Sequence, residues 1–205
     1  MIHGLRNPIL QQYILELLLP IVGYYLLDWS FNSIGIYYLL DYSASNVSFV
    51  RKFLAINRHT ENKVSTGVSF FVLGLMTVLS IGVMILTLYF LMKISSYELP
   101  ILFHEISTAF FNELWFLLPL LFVASFYSDK VTFFLPRLFL KYKADHYLWG
   151  ELIVNSSFIL LLAVFIYGSI YFSISKNLLI PLFLIGKIVF DLSIRSKVQK
   201  WCLNT

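Results

Sequence analysis

The sequence predicts an all-α, polytopic membrane protein, a bundle of about six transmembrane helices with both termini in the cytoplasm. Three observations predict it. Hydrophobic residues fill 59% of the 205 positions and charged residues only 13%, against about a quarter in soluble domains. Six apolar stretches meet or approach the roughly 20 residues that cross a hydrocarbon core of about 30 Å. Twelve of the fifteen Lys and Arg residues fall in alternate gaps between those stretches, which fixes an orientation.

The stretches run from about Pro8 to Leu27, Trp29 to Val50, Val68 to Met92, Ala109 to Tyr127, Leu148 to Ser173 and Leu178 to Ile194. The first follows Arg6, and no small-residue cleavage site follows its Glu16 or Pro20, so it is expected to be a retained span and not a signal peptide. Asp28, Trp29, Ser30 and Asn32 carry the turn and capping chemistry for a tight hairpin into the second. A single broken element there, giving five spans, is the alternative.

Between the fourth and fifth stretches, Thr132 to Tyr147 mixes Phe133, Phe134, Leu138 and Phe139 with Arg137, Lys141 and Lys143. That mixture predicts a short helix in the cytoplasmic headgroup layer. Ser95 to Thr108, with Pro100, Phe103, His104 and Glu105, predicts a similar connector outside. Pro/Gly/Ser-rich linkers and low-complexity tracts are missing from the sequence, so residues 1–205 are expected to form a single transmembrane domain.

Orientation follows from counting bases. Arg6, the group Arg51, Lys52, Arg58 and Lys63, the group Lys130, Arg137, Lys141 and Lys143, and the group Arg195, Lys197 and Lys200 belong to one face. Lys93 and Lys176 belong to the other. An even number of spans between cytoplasmic ends satisfies this distribution in a cell membrane. Trp29 and Trp115 fall at the outer boundary and Trp149 and Trp201 at the inner one, as interfacial anchors do. The net charge of +4 sits beside apolar spans, so Arg51, Lys52, Arg137, Lys141 and Lys143 point to lipid headgroups and not to nucleic acid.

Four ionisable residues fall inside the stretches: Glu16, Asp41, Lys187 and Asp191. Glu16 and Asp41 each come roughly 12 Å from the cytoplasmic face, and Lys187 near mid-depth with Asp191 one turn away. Each would cost about 2.5 to 3.5 kcal/mol facing lipid, so they are expected to turn inward as one charged cluster. Lys187 and Asp191, four apart, can neutralise each other. The alternative is that such groups merely lock helices together.

Other chemistry is weak. The four histidines lie outside the stretches, no zinc spacing occurs, and no membrane serine has a histidine partner, so no metal, cofactor or catalytic residue is expected. Cys202, the single cysteine, follows the last stretch, where acylation is conceivable.

The run Tyr38, Leu39, Leu40, Asp41 and Tyr42, together with Lys187 followed four residues later by Asp191, resembles a poorly characterised family of prokaryotic integral membrane proteins. That family has a second helix reading Tyr-Trp-Leu-Glu-Asn and a last helix with the same lysine–aspartate spacing. The likeness covers the first and last quarters of the chain and departs where Leu39 and Tyr42 replace the tryptophan and asparagine and Asp41 replaces the glutamate. It implies a prokaryotic cell membrane and a six-helix bundle, without an activity. The residues themselves favour an accessory or structural subunit of a membrane assembly over an enzyme, with lipids and a protein partner or further copies as contacts. A small transporter or proton- or ion-coupled channel using Glu16, Asp41, Lys187 and Asp191 is the second expectation.

Overall fold

The structure, a computed structural model, describes residues 19–26, 28–60, 63–95 and 98–203. Its described residues are helical with no β-strand, and they contain α1 (19–26), α2 (Phe31–His59), α3 (Thr66–Ser95), α4 (Leu99–Ala109), α5 (Leu117–Asp129), α6 (Ala144–Tyr171), α7 (Lys176–Phe190) and α8 (Ser196–Cys202). The all-α expectation is therefore met. Two of these helices, over Thr66–Ile94 and Ala144–Tyr171, are long and apolar enough to cross a membrane.

Local chemistry sets the ends. Ser30 caps α2: its Oγ accepts from Ser33 N at 3.0 Å, so the predicted turn at Asp28 to Asn32 has a defined donor and acceptor. Trp29 N donates to Gly23 O at 2.8 Å, and the indole packs so closely on Gly23 that a side chain there would collide with it. Ser65 caps α3 through Val68 N. Along α3, Ser69, Thr77, Ser80 and Thr87 each donate to the carbonyl four residues earlier, at 2.8 to 3.0 Å, which satisfies each O–H within the helix.

Several helices differ in extent from the apolar stretches. α2 continues nine residues past Val50 to His59, and the last stretch continues through a π-helical turn (Asp191–Arg195) into α8. Hydropathy marks where apolar side chains give way to charged ones, whereas Arg and Lys remain good helix formers beyond that point. The stretch Ala109–Tyr127 is broken instead. A π-helical turn (Phe110–Leu114) ends α4, and Pro119 in the first turn of α5 lacks the N–H that would have reached Trp115. The connector Thr132–Tyr147 is not one surface helix: a π-helical turn (Lys130–Phe134), left-handed Arg137 (φ 55°) after Pro136, and a short 3-10 helix (Leu138–Lys141) replace it.

Contacts divide the chain into two compact units, Met1–Ser48 with Leu91–Pro136 and Phe49–Phe90 with Arg137–Thr205. In the first, Trp29 lies beside Tyr37 (ring centroids 6.5 Å apart) and Leu91 packs on Gly35. In the second, α6 and the α7–α8 column form an antiparallel hairpin. Phe165 meets Phe183 at 5.4 Å, and Phe158 meets Phe190 at 5.7 Å, seven residues back on one helix and seven forward on the other. The same register continues to the foot, where Cys202 Sγ donates to His146 O. Lys143 N donates to Cys202 O at 3.1 Å and a Tyr142–Leu203 bridge closes the base. Phe90 of α3 meets Phe165 at 5.8 Å, tying α3 to the hairpin. Each such ring pair contributes roughly 0.5 to 1.5 kcal/mol beyond its buried area.

Gly150 tests this register. A Cβ there would stand 2.7 Å from Cys202 Sγ and 2.8 Å from Val198 Cγ1. Gly150→Ala is expected to lose about 1 to 3 kcal/mol by overpacking, read as a lower thermal midpoint, and Gly150→Ala with Cys202→Ala should recover part of it. An unchanged midpoint for the single variant would mean α8 does not pack on α6 in this register.

Candidate functional site

The buried polar groups form the candidate site. In the first unit, α2 presents a buried face of Ser33, Tyr37, Ala44 and Ser48, at helical spacing. Asp41 lies on the same stripe and is half-buried. At the end of that face, Ser48 Oγ donates to Asp129 Oδ1 at 2.8 Å, across 81 residues of sequence. Asp129 is only 3% exposed and closes α5 where the π-helical turn begins. A hydroxyl donating to a carboxylate is a charge-assisted bond, roughly twice the strength of a neutral one.

In the second unit, Asp191 is 6% exposed and opens the π-helical turn after α7. Arg195 Nη1 lies 3.4 Å from its Oδ1, one turn later on the same helical column. Arg195, which sequence counting had assigned to the cytoplasmic tail, is an ion-pair partner of Asp191 that the sequence reading did not anticipate. Lys187 is half-buried on α7. Glu16 lies outside the described residues. Asp41 belongs to the first unit, and Lys187 and Asp191 to the second.

Asp129 was missed. It follows the apolar stretch ending at Tyr127, and hydropathy gives it the standing of an interfacial residue. The available signal was indirect, a serine seven residues after Asp41 on one face of α2. π-helical turns insert one residue into an α-helical ladder and recur at functional sites; here two of them begin beside or at a buried carboxylate, Asp129 and Asp191.

Of the expected headgroup contacts, Arg137, Lys141 and Lys143 are exposed and Arg51 and Lys52 half-buried. Trp115, Trp149 and Trp201 are exposed, whereas Trp29 is buried against Gly23 and Tyr37. Among the described residues no group of three His, Cys, Asp or Glu side chains is placed to hold a metal.

Cys202 is not placed for acylation. It is 3% exposed, with Sγ on the His146 carbonyl at 3.2 Å. Burial, reinforced by the negative charges of Glu151 and Asp145, pushes its thiol up to about 12. Tyr142 beside it is also raised, by burial first and then by Cys202 and Glu151. The unfolded thiol ionises near 9 while the folded one holds its proton to about 12, so its contribution to stability is complete below pH 9 and disappears between pH 9 and 12.

Two outcomes check these placements. Maleimide at pH 7.5 should leave Cys202 unmodified in the folded protein and label it fully after denaturation; rapid labelling of the native chain would show an exposed α8. In a double-mutant cycle of unfolding free energies, Ser48→Ala alone should cost about 1 to 3 kcal/mol by removing a donor from a buried carboxylate, and Ser48→Ala with Asp129→Leu should cost less than the sum of the two singles. Additive losses would mean the two side chains do not interact. No protein-family model matches the chain, and neither does any curated protein or solved structure.

Proposed function

We propose that the chain is a multi-pass protein of the cell membrane, with about six spans and both termini cytoplasmic, that serves as an accessory or structural subunit of a membrane assembly. In this reading it contacts lipid and either a protein partner or further copies of itself, and it belongs with the prokaryotic family that its second and last helices resemble.

The observation that carries the reading is the apolar surface of α3. Only 17% of its most apolar window is buried inside the protein, and for α6 the share is 28%. Phe70, Phe71, Val78, Ile81, Met84 and Ile85 all face outward from one helix. Soluble monomers rarely expose contiguous apolar patches beyond a few hundred Å². Lipid or an apolar partner helix suits such a surface, and the self-satisfied hydroxyls of α3 suit the same medium. The described residues between helices are short and offer little soluble material for chemistry.

One observation favours a second reading, a small proton- or ion-coupled transporter. The face of α2 that carries Asp41 ends in the buried Ser48–Asp129 bond, and ionisable groups within membrane segments mark ion pathways in many proteins. The subunit reading ranks first because large apolar side chains dominate the exposed surface of α3 and α6.

Topology and assembly are both measurable. In a Cys202→Ala background, Thr60→Cys and Lys143→Cys should react only from the cytoplasm and Ser96→Cys only from outside; reaction of Lys143→Cys from outside would overturn the six-span topology, because the positive charges would then be translocated. Mass measurement after extraction in mild detergent should find a stoichiometric complex. A monodisperse single chain stabilised by a particular ion would favour the transporter instead.

A further inference from the structure

The foot of the α6/α7–α8 hairpin collects exposed bases described in the second unit. Lys143 stands at the start of α6, and Lys197 and Lys200 on α8, all exposed. Exposed Arg137 and Lys141 flank the short 3-10 helix, whose Phe139 meets His59 at 4.8 Å. That contact brings in the end of α2, with exposed Arg58; Val64 N donates to Asn57 Oδ1, and Lys63 just before it is exposed. The exposed acid among these described segments is Asp145.

Apolar side chains stand among the bases. Leu140 and Trp149 are exposed, and so is Trp201, at 47%. Trp201 is also fixed: its ring stacks on His146 at 4.5 Å and 9°, and its carbonyl lies 3.3 Å from His146 Nδ1. Together with the Cys202 contact, this holds α8 against α6 as part of the fold and not as a free tail.

We propose that this foot is a docking surface for anionic phospholipid headgroups, and that α8 is a built part of it. The inference rests on the membrane reading above and deepens it by naming the lipid class and the element that selects it. Charge complementarity supplies the argument: bases with Asp145 as the exposed acid among these described segments suit phosphate-bearing headgroups, and each base near an anionic surface favours it about fivefold. The tryptophans and Leu140 choose among anions, because amphipathic rings settle at the headgroup level beside acyl chains. A nucleic acid or an acidic protein would match the bases and leave these apolar groups in water.

The test uses the full-length protein in neutral detergent, supplied with dioleoylphosphatidylglycerol or dioleoylphosphatidylcholine, with retained lipid counted by native mass spectrometry. The wild-type chain should retain the glycerol lipid in preference to the choline lipid. Lys197→Gln with Lys200→Gln should reduce that preference by more than tenfold, and Arg137→Gln with Lys141→Gln by a similar factor. Continued protection of Cys202 from maleimide in the α8 variant would show that α8 is still docked and that the loss is one of charge. Equal retention of the two lipids by the wild type, or an unchanged preference in the docked α8 variant, would overturn the proposal; so would a bound nucleic acid whose digestion removes the anion preference. The underlying reading is scored separately by alkaline carbonate washing. A chain that leaves the membranes loses that reading, whereas a chain that stays and shows no lipid preference loses this inference alone.

Discussion

Internal satisfaction of polar groups is the constraint on which the rest of this structure depends. A chain with 59% hydrophobic residues has few places to leave a donor or acceptor that water will satisfy, and in an apolar medium each orphaned group costs several kcal/mol. Helices solve this for the backbone. Several side chains follow the same rule: hydroxyls of α3 return to carbonyls of their own helix, Ser48 donates to Asp129, and Asp191 meets Arg195. The sequence can therefore leave nearly the whole circumference of α3 apolar.

The same constraint explains how the helices pack. α3 buries a narrow seam, Val72, Met76, Val83 and Phe90, while the rest of its circumference faces outward. In the second unit, ring pairs and close backbone approach reinforce a buried apolar core. Phe90, Phe165 and Phe183 make a ladder from α3 through α6 to α7, and at the foot Gly150 lets Cys202 and Val198 sit against α6. Near the foot, where charge reappears, polar contacts take over and His146, Trp201 and the Lys143 N–H hold α8.

What was legible in the sequence was the helix content and the apolar character of α3 and α6. Hydropathy located the apolar runs, and Ser30 read as a cap because its chemistry is local. Lengths were not legible, since α2 and the α7–α8 column continue through Arg58, His59, Lys197 and Lys200, charged residues that end an apolar run without ending a helix. The interruption before α5 could have been taken from Pro119, whose missing N–H breaks a ladder regardless of hydropathy. Asp191 was recognised as buried, and Arg195 one turn on was counted as a tail charge although it meets Asp191. The Ser48–Asp129 bond was out of reach, because nothing local to either residue points across the 81 positions between them.

The central claim is that α3 turns an apolar face to lipid while a narrow seam packs on the protein. Collision measurements on spin labels test it most directly. Labels at Phe70→Cys, Val78→Cys, Ile81→Cys and Ile85→Cys, in bilayers and in a Cys202→Ala background, should collide frequently with dissolved oxygen and rarely with a water-soluble nickel chelate. Labels at Val72→Cys, Met76→Cys and Val83→Cys should be shielded from both. Nickel collision at the outward positions as frequent as at exposed Lys63→Cys would place that face in water and contradict the account.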